Sequence, residues 1–83
     1  MDYPIDYEAY STEEIMDIVE FLNLLERRAM GDAVRDEDLL RRYANYRAIL
    51  NNQAEEKRID KAFEAQTGIP IYKTMKAIEK SSR

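Results

Sequence analysis

The stretch STEEIMDIVEFLNLLERRAMG, residues 11–31, decides the fold of this chain. Ser11 and Glu14 have the spacing of a capping box, in which the serine hydroxyl accepts from the Glu14 amide and the Glu14 carboxylate accepts from the Ser11 amide. At the other end, Gly31 can adopt the left-handed conformation that ends many helices. We therefore predict a first helix over residues 12–30.

Apolar side chains of this first helix recur with the spacing of one buried face. They are Ile15, Ile18, Val19, Leu22, Leu25 and Ala29. Met16, Phe21 and Leu24 fall outside that stripe, and with ~100° between successive residues they extend the apolar surface over well more than half of the helix. A helix with so little polar surface is predicted to lie at the centre of its domain.

Three further helices are marked by their own start and stop signals. Acidic residues 36–38 suit the positive amino end of a helix. Asn52 is a preferred cap, Gly68 is a helix stop, and Pro70 suits the first turn of a new helix. We predict these helices over residues 36–50, 53–66 and 71–80.

The two ends of the chain are predicted to lie outside the helices. Residues 1–10 carry apolar side chains without helical spacing, so we predict an extended strap lying on the helices. Residues 81–83 are predicted to be a frayed tail. The predicted fold class is all-α, with residues 1–83 forming a single domain, a compact bundle of four short helices.

The composition removes several kinds of chemistry. The chain has no cysteine and no histidine, which excludes disulfides, thiolate metal sites and imidazole ligands or bases. Carboxylates at 36–38 are a poor metal site, because successive helical residues diverge by ~100°. Without a nucleophile, a base and a group to orient that base, we predict no enzymatic activity, no metal and no cofactor.

The cellular location predicted from the sequence is the cytoplasm. The amino terminus has neither a basic start nor an apolar stretch, so it does not resemble a secretory signal. No apolar run approaches the ~20 residues needed to span a bilayer, so no membrane association is expected.

Charge is segregated along the chain. The net charge of −4 combines −8 for residues 1–26 with +4 for residues 27–83, a balance that disfavours general nucleic-acid binding. Within the first helix, an acidic stripe has helical spacing and shares its line with Leu24. It consists of Glu13, Asp17 and Glu20. This stripe is either paired with lysines of the fourth helix or open to a basic partner, and internal pairing or plain solvation is the simpler interpretation. The lysines concerned are Lys73, Lys76 and Lys80.

Two tyrosines of the second helix alternate with arginines, as in proteins that stack bases of single-stranded nucleic acid. Tyr43 and Tyr46 are flanked by Arg42 and Arg47. Both tyrosines also share a face with leucines of that helix. We therefore predict that they belong to the core, with hydroxyls reaching the surface.

Several short motifs resemble those of a group of small bacterial proteins. They are Tyr-Pro-Ile-Asp at 3–6, Ser-Thr-Glu-Glu-Ile at 11–15, Leu-Leu-Arg-Arg-Tyr at 39–43, Ala-Glu-Glu-Lys at 54–57, and Thr-Gly at 67–68 before Tyr72-Lys73. Over nearly the whole chain, these resemble uncharacterised protein family 0223. The resemblance implies a short, cytosolic, helical protein and implies no activity. Ile69-Pro70-Ile71 departs from the small polar residues expected there.

Two functional hypotheses follow. The leading one is a non-enzymatic protein-interaction or regulatory module whose first helix binds another protein or a second copy of the chain. Its predicted partner-binding residues are Phe21, Leu24, Glu13, Asp17 and Glu20. The alternative is a nucleic-acid- or ribosome-associated factor that uses the basic carboxyl-terminal helix, since residues 69–83 carry four basic residues and one acidic residue.

Overall fold

Four α-helices account for the regular structure of residues 3–81, the part of the chain that this computed structural model describes. They are α1 (Thr12–Ala29), α2 (Asp36–Leu50), α3 (Gln53–Thr67) and α4 (Ile71–Ser81). The predicted all-α bundle is confirmed, and each helix end lies within one residue of its predicted position. None of these helices has the length and hydrophobicity that a bilayer span requires.

The helix ends are set mainly by local caps. Glu14 N donates to Ser11 Oγ at 3.2 Å and Ser11 N donates to Glu14 Oε1 at 2.9 Å, so the predicted capping box of α1 is confirmed. At the start of α3, Asn52 Oδ1 accepts from the amides of Ala54 and Glu55 at 2.8 and 3.2 Å. At the end of α3, Gly68 has φ of +80°, which a side chain would strain.

The start of α4 is capped from another helix. Asp60 of α3 accepts from the Ile71 amide through Oδ1 at 2.9 Å and from the Tyr72 amide through Oδ2 at 3.1 Å. Pro70 precedes α4 and offers no side-chain acceptor for these two amides. A carboxylate from α3 therefore satisfies the amino end of α4 and ties the two helices together.

The helix at the centre is α2. It packs against each of the other three helices, whereas the backbone of α1 comes close mainly to α2. The prediction that helix 1 is central is wrong, because the other helices do not bury all of its apolar residues outside the main stripe. Phe21 is fully buried, but Met16 remains 58% exposed. The core is formed by Ile5, Ile18, Phe21, Leu22, Leu25, Leu39, Tyr43, Tyr46, Leu50, Ile59, Phe63, Ile71, Met75 and Ile78.

The amino-terminal strap lies on the helices as predicted. Ile5 joins the core, and the ring of Tyr3 stacks on Phe63 of α3 with 6.3 Å between ring centroids. Arg58 of α3 donates to the Pro4 carbonyl oxygen at 3.4 Å. The strap therefore adds a layer over α3.

Two details of the chain ends differ from the prediction. The strap is not extended throughout, because the Ala9 amide donates to the Asp6 carbonyl oxygen at 3.0 Å and closes a turn. Ser81, predicted to be frayed, is the last residue of α4, and its hydroxyl donates to the Ala77 carbonyl oxygen at 3.0 Å. The parts of the strap and tail predicted at residues 1–2 and 82–83 lie outside the described residues.

Candidate functional site

The outer side of α1 carries carboxylates around an exposed methionine. We call this surface the acidic face and define it as Glu13, Met16, Asp17 and Glu20. These positions are neighbours on a helix surface, and Met16 lies three residues after Glu13 and four before Glu20. Glu13 and Glu20 are exposed, and Asp17 is half-buried.

One of these carboxylates has an ionic partner, which lies on α2 and not on α4. Glu20 Oε2 lies 2.5 Å from an Arg42 guanidinium nitrogen of α2. Among residues 3–81, Glu13 and Asp17 form no ion pair within 4.0 Å. Of the alternatives that the sequence left open, pairing with Lys73, Lys76 and Lys80 is absent, because α4 packs on α2 and α3 rather than along α1. Plain solvation describes Glu13 better. Lys76 lies 3.4 Å from Glu79 on its own helix.

Phe21 does not belong to this surface. Its side chain is 0% exposed, and its ring lies 5.5 Å from that of Tyr43 and 4.8 Å from that of Tyr46, centroid to centroid. The expectation that Phe21 contacts a partner is wrong, because the aromatic rings of α2 cover it within one chain. Leu24 is half-buried against the same core, so it too offers little apolar surface.

The exposed apolar side chain of the acidic face is Met16, which is not among the partner-binding residues predicted from the sequence. Only the absence of a neighbouring helix over Met16 could have identified it as an exposed residue. Met16 falls outside the main apolar stripe of α1, and so does Phe21. Periodicity alone cannot tell which of two such residues a neighbouring helix will cover.

A separate cleft of about 380 Å³ opens between α2, α3 and α4. Its lining combines three tyrosine rings with charged groups. The lining residues are Tyr43, Tyr46, Arg47, Gln53, Glu56, Lys57, Asp60, Ile71 and Tyr72. Arg47 Nε lies 3.1 Å from Glu56 Oε1, and the Arg47 guanidinium sits 5.6 Å from the centroid of the Tyr43 ring. The prediction that Tyr43 and Tyr46 belong to the core is confirmed, but the expectation that their hydroxyls reach the surface is wrong for Tyr46, whose hydroxyl oxygen is buried.

Tyr46 has an unusual hydroxyl. The residue is 2% exposed, and its hydroxyl oxygen is buried without a hydrogen-bond partner in the described part of the chain. Burial is the main cause that raises the pKa of Tyr46 well above its usual value, and the nearby negative charges of Glu56 and Asp60 raise it further. The hydroxyl therefore stays protonated and keeps a proton to donate.

The tyrosines make the fold sensitive to alkali. Burial is the largest cause that raises the pKa of Tyr3, Tyr10, Tyr43 and Tyr46 above 10.0. Because the folded state favours the neutral phenol, this stabilisation is fully present below pH 10 and is lost as the pH rises through the folded values. We expect the urea midpoint, followed by circular dichroism, to fall above pH 10. The urea midpoint of Tyr46→Phe should fall less over the same pH range. An equal fall in the two proteins would show that Tyr46 is not a source of the sensitivity to alkali.

The described residues offer no metal site. No group of three or more acidic side chains within residues 3–81 is arranged to hold a metal ion. The carboxylates of Asp36, Glu37 and Asp38 lie in the first turn of α2, where they oppose the positive end of the helix dipole.

Comparisons with known proteins identify the family. Residues 1–83 match the group described as Uncharacterised protein family (UPF0223). The UPF0223 protein of Streptococcus mutans is 40% identical over 75 residues, which cover 90% of this chain and 79% of that protein. The UPF0223 protein of Staphylococcus saprophyticus is 39% identical over 79 residues, which cover 95% and 84%.

A relative from a third genus extends the match. The UPF0223 protein of Bacillus cytotoxicus is 38% identical over 73 residues, covering 88% of this chain and 80% of that protein. No solved structure matches the chain significantly. On the match over its whole length and on these relatives, the chain belongs to the uncharacterised protein family UPF0223.

Proposed function

We propose that this protein is a non-enzymatic interaction module of the cytoplasm, which binds a basic segment of a partner protein through the acidic face of α1. The observation that carries the proposal is Met16, 58% exposed between carboxylates on the outer side of a well-capped helix. Met16 would supply the apolar contact and the carboxylates around it the charged contacts, which is the combination that a basic, partly apolar segment requires.

The charges of the acidic face favour a basic partner. Glu13 and Asp17 have no ionic partner among residues 3–81, so their charges are available to another molecule. The surrounding segment adds to this field, because residues 1–26 carry eight acidic residues and no basic one. Such a field accelerates association with a basic segment and selects against an acidic one.

Glu20 contributes less than its two neighbours. Arg42, which is partly buried, already neutralises its carboxylate. A basic group from a partner would have to share Glu20 with Arg42. The proposed contact is therefore a cationic side chain at Glu13 and Asp17, with an adjoining apolar side chain covering Met16.

A peptide titration tests this proposal. The probe is a labelled synthetic peptide that alternates lysine pairs with leucine, and its binding is followed by fluorescence anisotropy at low and physiological salt. Each exposed ion pair contributes about 0.2–1 kcal/mol, so removing two charges with Glu13→Gln/Asp17→Asn should weaken binding by about twofold to thirtyfold. Met16→Ala should weaken binding without changing its salt dependence.

The matched control removes two charges elsewhere. Asp36→Asn/Glu37→Gln changes two exposed carboxylates at the start of α2 and should leave peptide affinity nearly unchanged. If this control weakens binding as much as the change on α1, total charge explains the affinity and the acidic face has no special role.

A second function is favoured by one feature of α4. Tyr72 is 53% exposed, and the Lys76 ammonium lies 5.5 Å from the centroid of its ring. Exposed aromatic rings beside cations are used to stack the bases of single-stranded nucleic acid, and Lys73 and Lys80 add exposed charge on this helix. In the same titration, oligothymidine binding that disappears in Tyr72→Ala would favour this function over peptide binding.

A further inference from the structure

We propose that the cleft between α2, α3 and α4 is a binding site for a small neutral aromatic compound that carries a hydroxyl or carbonyl oxygen, with Tyr46 as the hydrogen-bond donor. This site is separate from the acidic face and does not depend on the function proposed for it. Its volume of about 380 Å³ lies in the ordinary range for small-molecule pockets, about 300–1,000 Å³.

The apolar part of the cleft favours a planar guest. Ile71 is buried, and the rings of Tyr43, Tyr46 and Tyr72 all contribute to the lining. Aromatic rings pack well against one another in offset or edge-to-face arrangements. A ring of one or two fused cycles is therefore the shape that this lining can contact most fully.

The buried hydroxyl of Tyr46 defines the polar contact. Tyr46 lines the cleft, and its hydroxyl oxygen is buried without a hydrogen-bond partner among residues 3–81. A buried donor without an acceptor is unfavourable, and an oxygen from a guest would remove that penalty. Because the hydroxyl remains protonated, the guest must supply the acceptor.

The charges of the cleft favour a neutral guest. Arg47 and Glu56 neutralise each other as an ion pair at 3.1 Å. Both oxygens of Asp60 are occupied by the amides of Ile71 and Tyr72. Lys57 also lines the cleft and forms no ion pair among residues 3–81, but its positive charge balances that of the second carboxylate. The lining therefore has no net charge, and an ion of either sign would meet like charges there at a cost.

Tyr72 is the side chain of the lining that is freest to move. Less than 1 Å² of the Tyr46 hydroxyl oxygen is open to solvent, so a guest reaches it only after a side chain of the lining turns aside. Tyr72 is the most exposed ring of the cleft and lies in the first turn of α4. Its backbone is held by Asp60, but its ring extends into solvent and can rotate without unfolding the helix.

The test compares two probes that differ in one hydroxyl group. Phenol and toluene are titrated separately into isotopically labelled protein, and amide chemical shifts are recorded by nuclear magnetic resonance. We expect saturable chemical-shift changes at amides around the cleft, including those of Ile71 and Tyr72. Phenol should bind about fivefold more tightly than toluene, because one net hydrogen bond contributes about 1 kcal/mol. Tyr46→Phe should make the two affinities equal while preserving the toluene shifts.

Control variants show whether the preference for phenol depends on the Tyr46 hydroxyl or on any tyrosine hydroxyl. Tyr7→Phe removes a hydroxyl from an exposed ring outside the cleft and should keep the preference for phenol. Tyr46→Phe is expected to fold, because it removes an unpartnered buried hydroxyl and leaves the ring packing in place. The proposal is overturned if neither probe gives saturable shifts at the cleft, or if Tyr46→Phe still prefers phenol.

Discussion

Phe21→Ala is expected to destabilise the protein by about 3–5 kcal/mol, the usual cost of removing a large buried aromatic side chain. Phe21 is fully buried and contacts the rings of Tyr43 and Tyr46, so its removal leaves a cavity between α1 and the central helix α2. At about 0.05–0.15 kcal/mol per residue, a chain of 83 residues has a total stability near 4–12 kcal/mol. The loss is thus a large fraction of the total.

The measurement is urea unfolding followed by far-ultraviolet circular dichroism, with Met16→Ala as the matched control on the same helix. Met16 is 58% exposed, so its truncation should change stability by no more than about 0.5 kcal/mol. Together the two variants decide which of the two apolar residues outside the main stripe belongs to the core. Similar effects would contradict the packing of α1 described above.

Asp60→Ala is expected to cost about 2–3 kcal/mol, because it removes both acceptors at the amino end of α4. A lost side-chain cap costs about 0.5–2 kcal/mol, and a hydrogen bond to a charged group contributes about 1.5–3 kcal/mol. Ile71 is buried, so its freed amide has little access to water as a substitute partner. Asp60→Asn keeps one acceptor oxygen and should lie between the wild type and Asp60→Ala.

Hydrogen exchange locates this effect. The amides at the start of α4, above all those of Ile71 and Tyr72, should lose protection in Asp60→Ala more than the amides of α1 do. Glu64→Ala is the control, since Glu64 is an exposed carboxylate of the same helix α3. If Glu64→Ala destabilises the protein as much as Asp60→Ala does, the cap is not the cause.

The two proposed surfaces lie on different parts of the fold, which makes their tests independent. The acidic face is on the outer side of α1, and the cleft lies between the other three helices. A change at Glu13 should leave phenol binding intact. A change at Tyr46 should leave binding of the basic peptide intact, provided that the core it shares with Phe21 is undisturbed.

Much of the local structure could be predicted from the sequence, because caps and stops act within one helical turn. As soon as the first helix forms, the Ser11 hydroxyl can accept from the Glu14 amide, and the Glu14 carboxylate can accept from the Ser11 amide. Asn52 and Gly68 likewise set the two ends of α3 through their own conformational preferences. The order and length of the helices and the all-α class follow from such signals.

Tertiary structure decided the features that depend on which faces meet. Asp60 reaches the amides of residues that follow it by more than ten positions, and Glu20 pairs with Arg42 across two helices. Neither partner can be chosen until the helices are packed. The same holds for the central position of α2 and for the cleft beside Tyr46, which exists only where three helices come together.

The acidic face shows both parts of this division in one helix. The sequence by itself determined that Glu13, Asp17 and Glu20 share a side of α1, because a helix repeats every ~3.6 residues. Only the tertiary structure decided that Phe21 would be covered and Met16 left in solvent. The physical reason is that hydrophobicity favours burial of both side chains equally, while the position of α2 allows it for one.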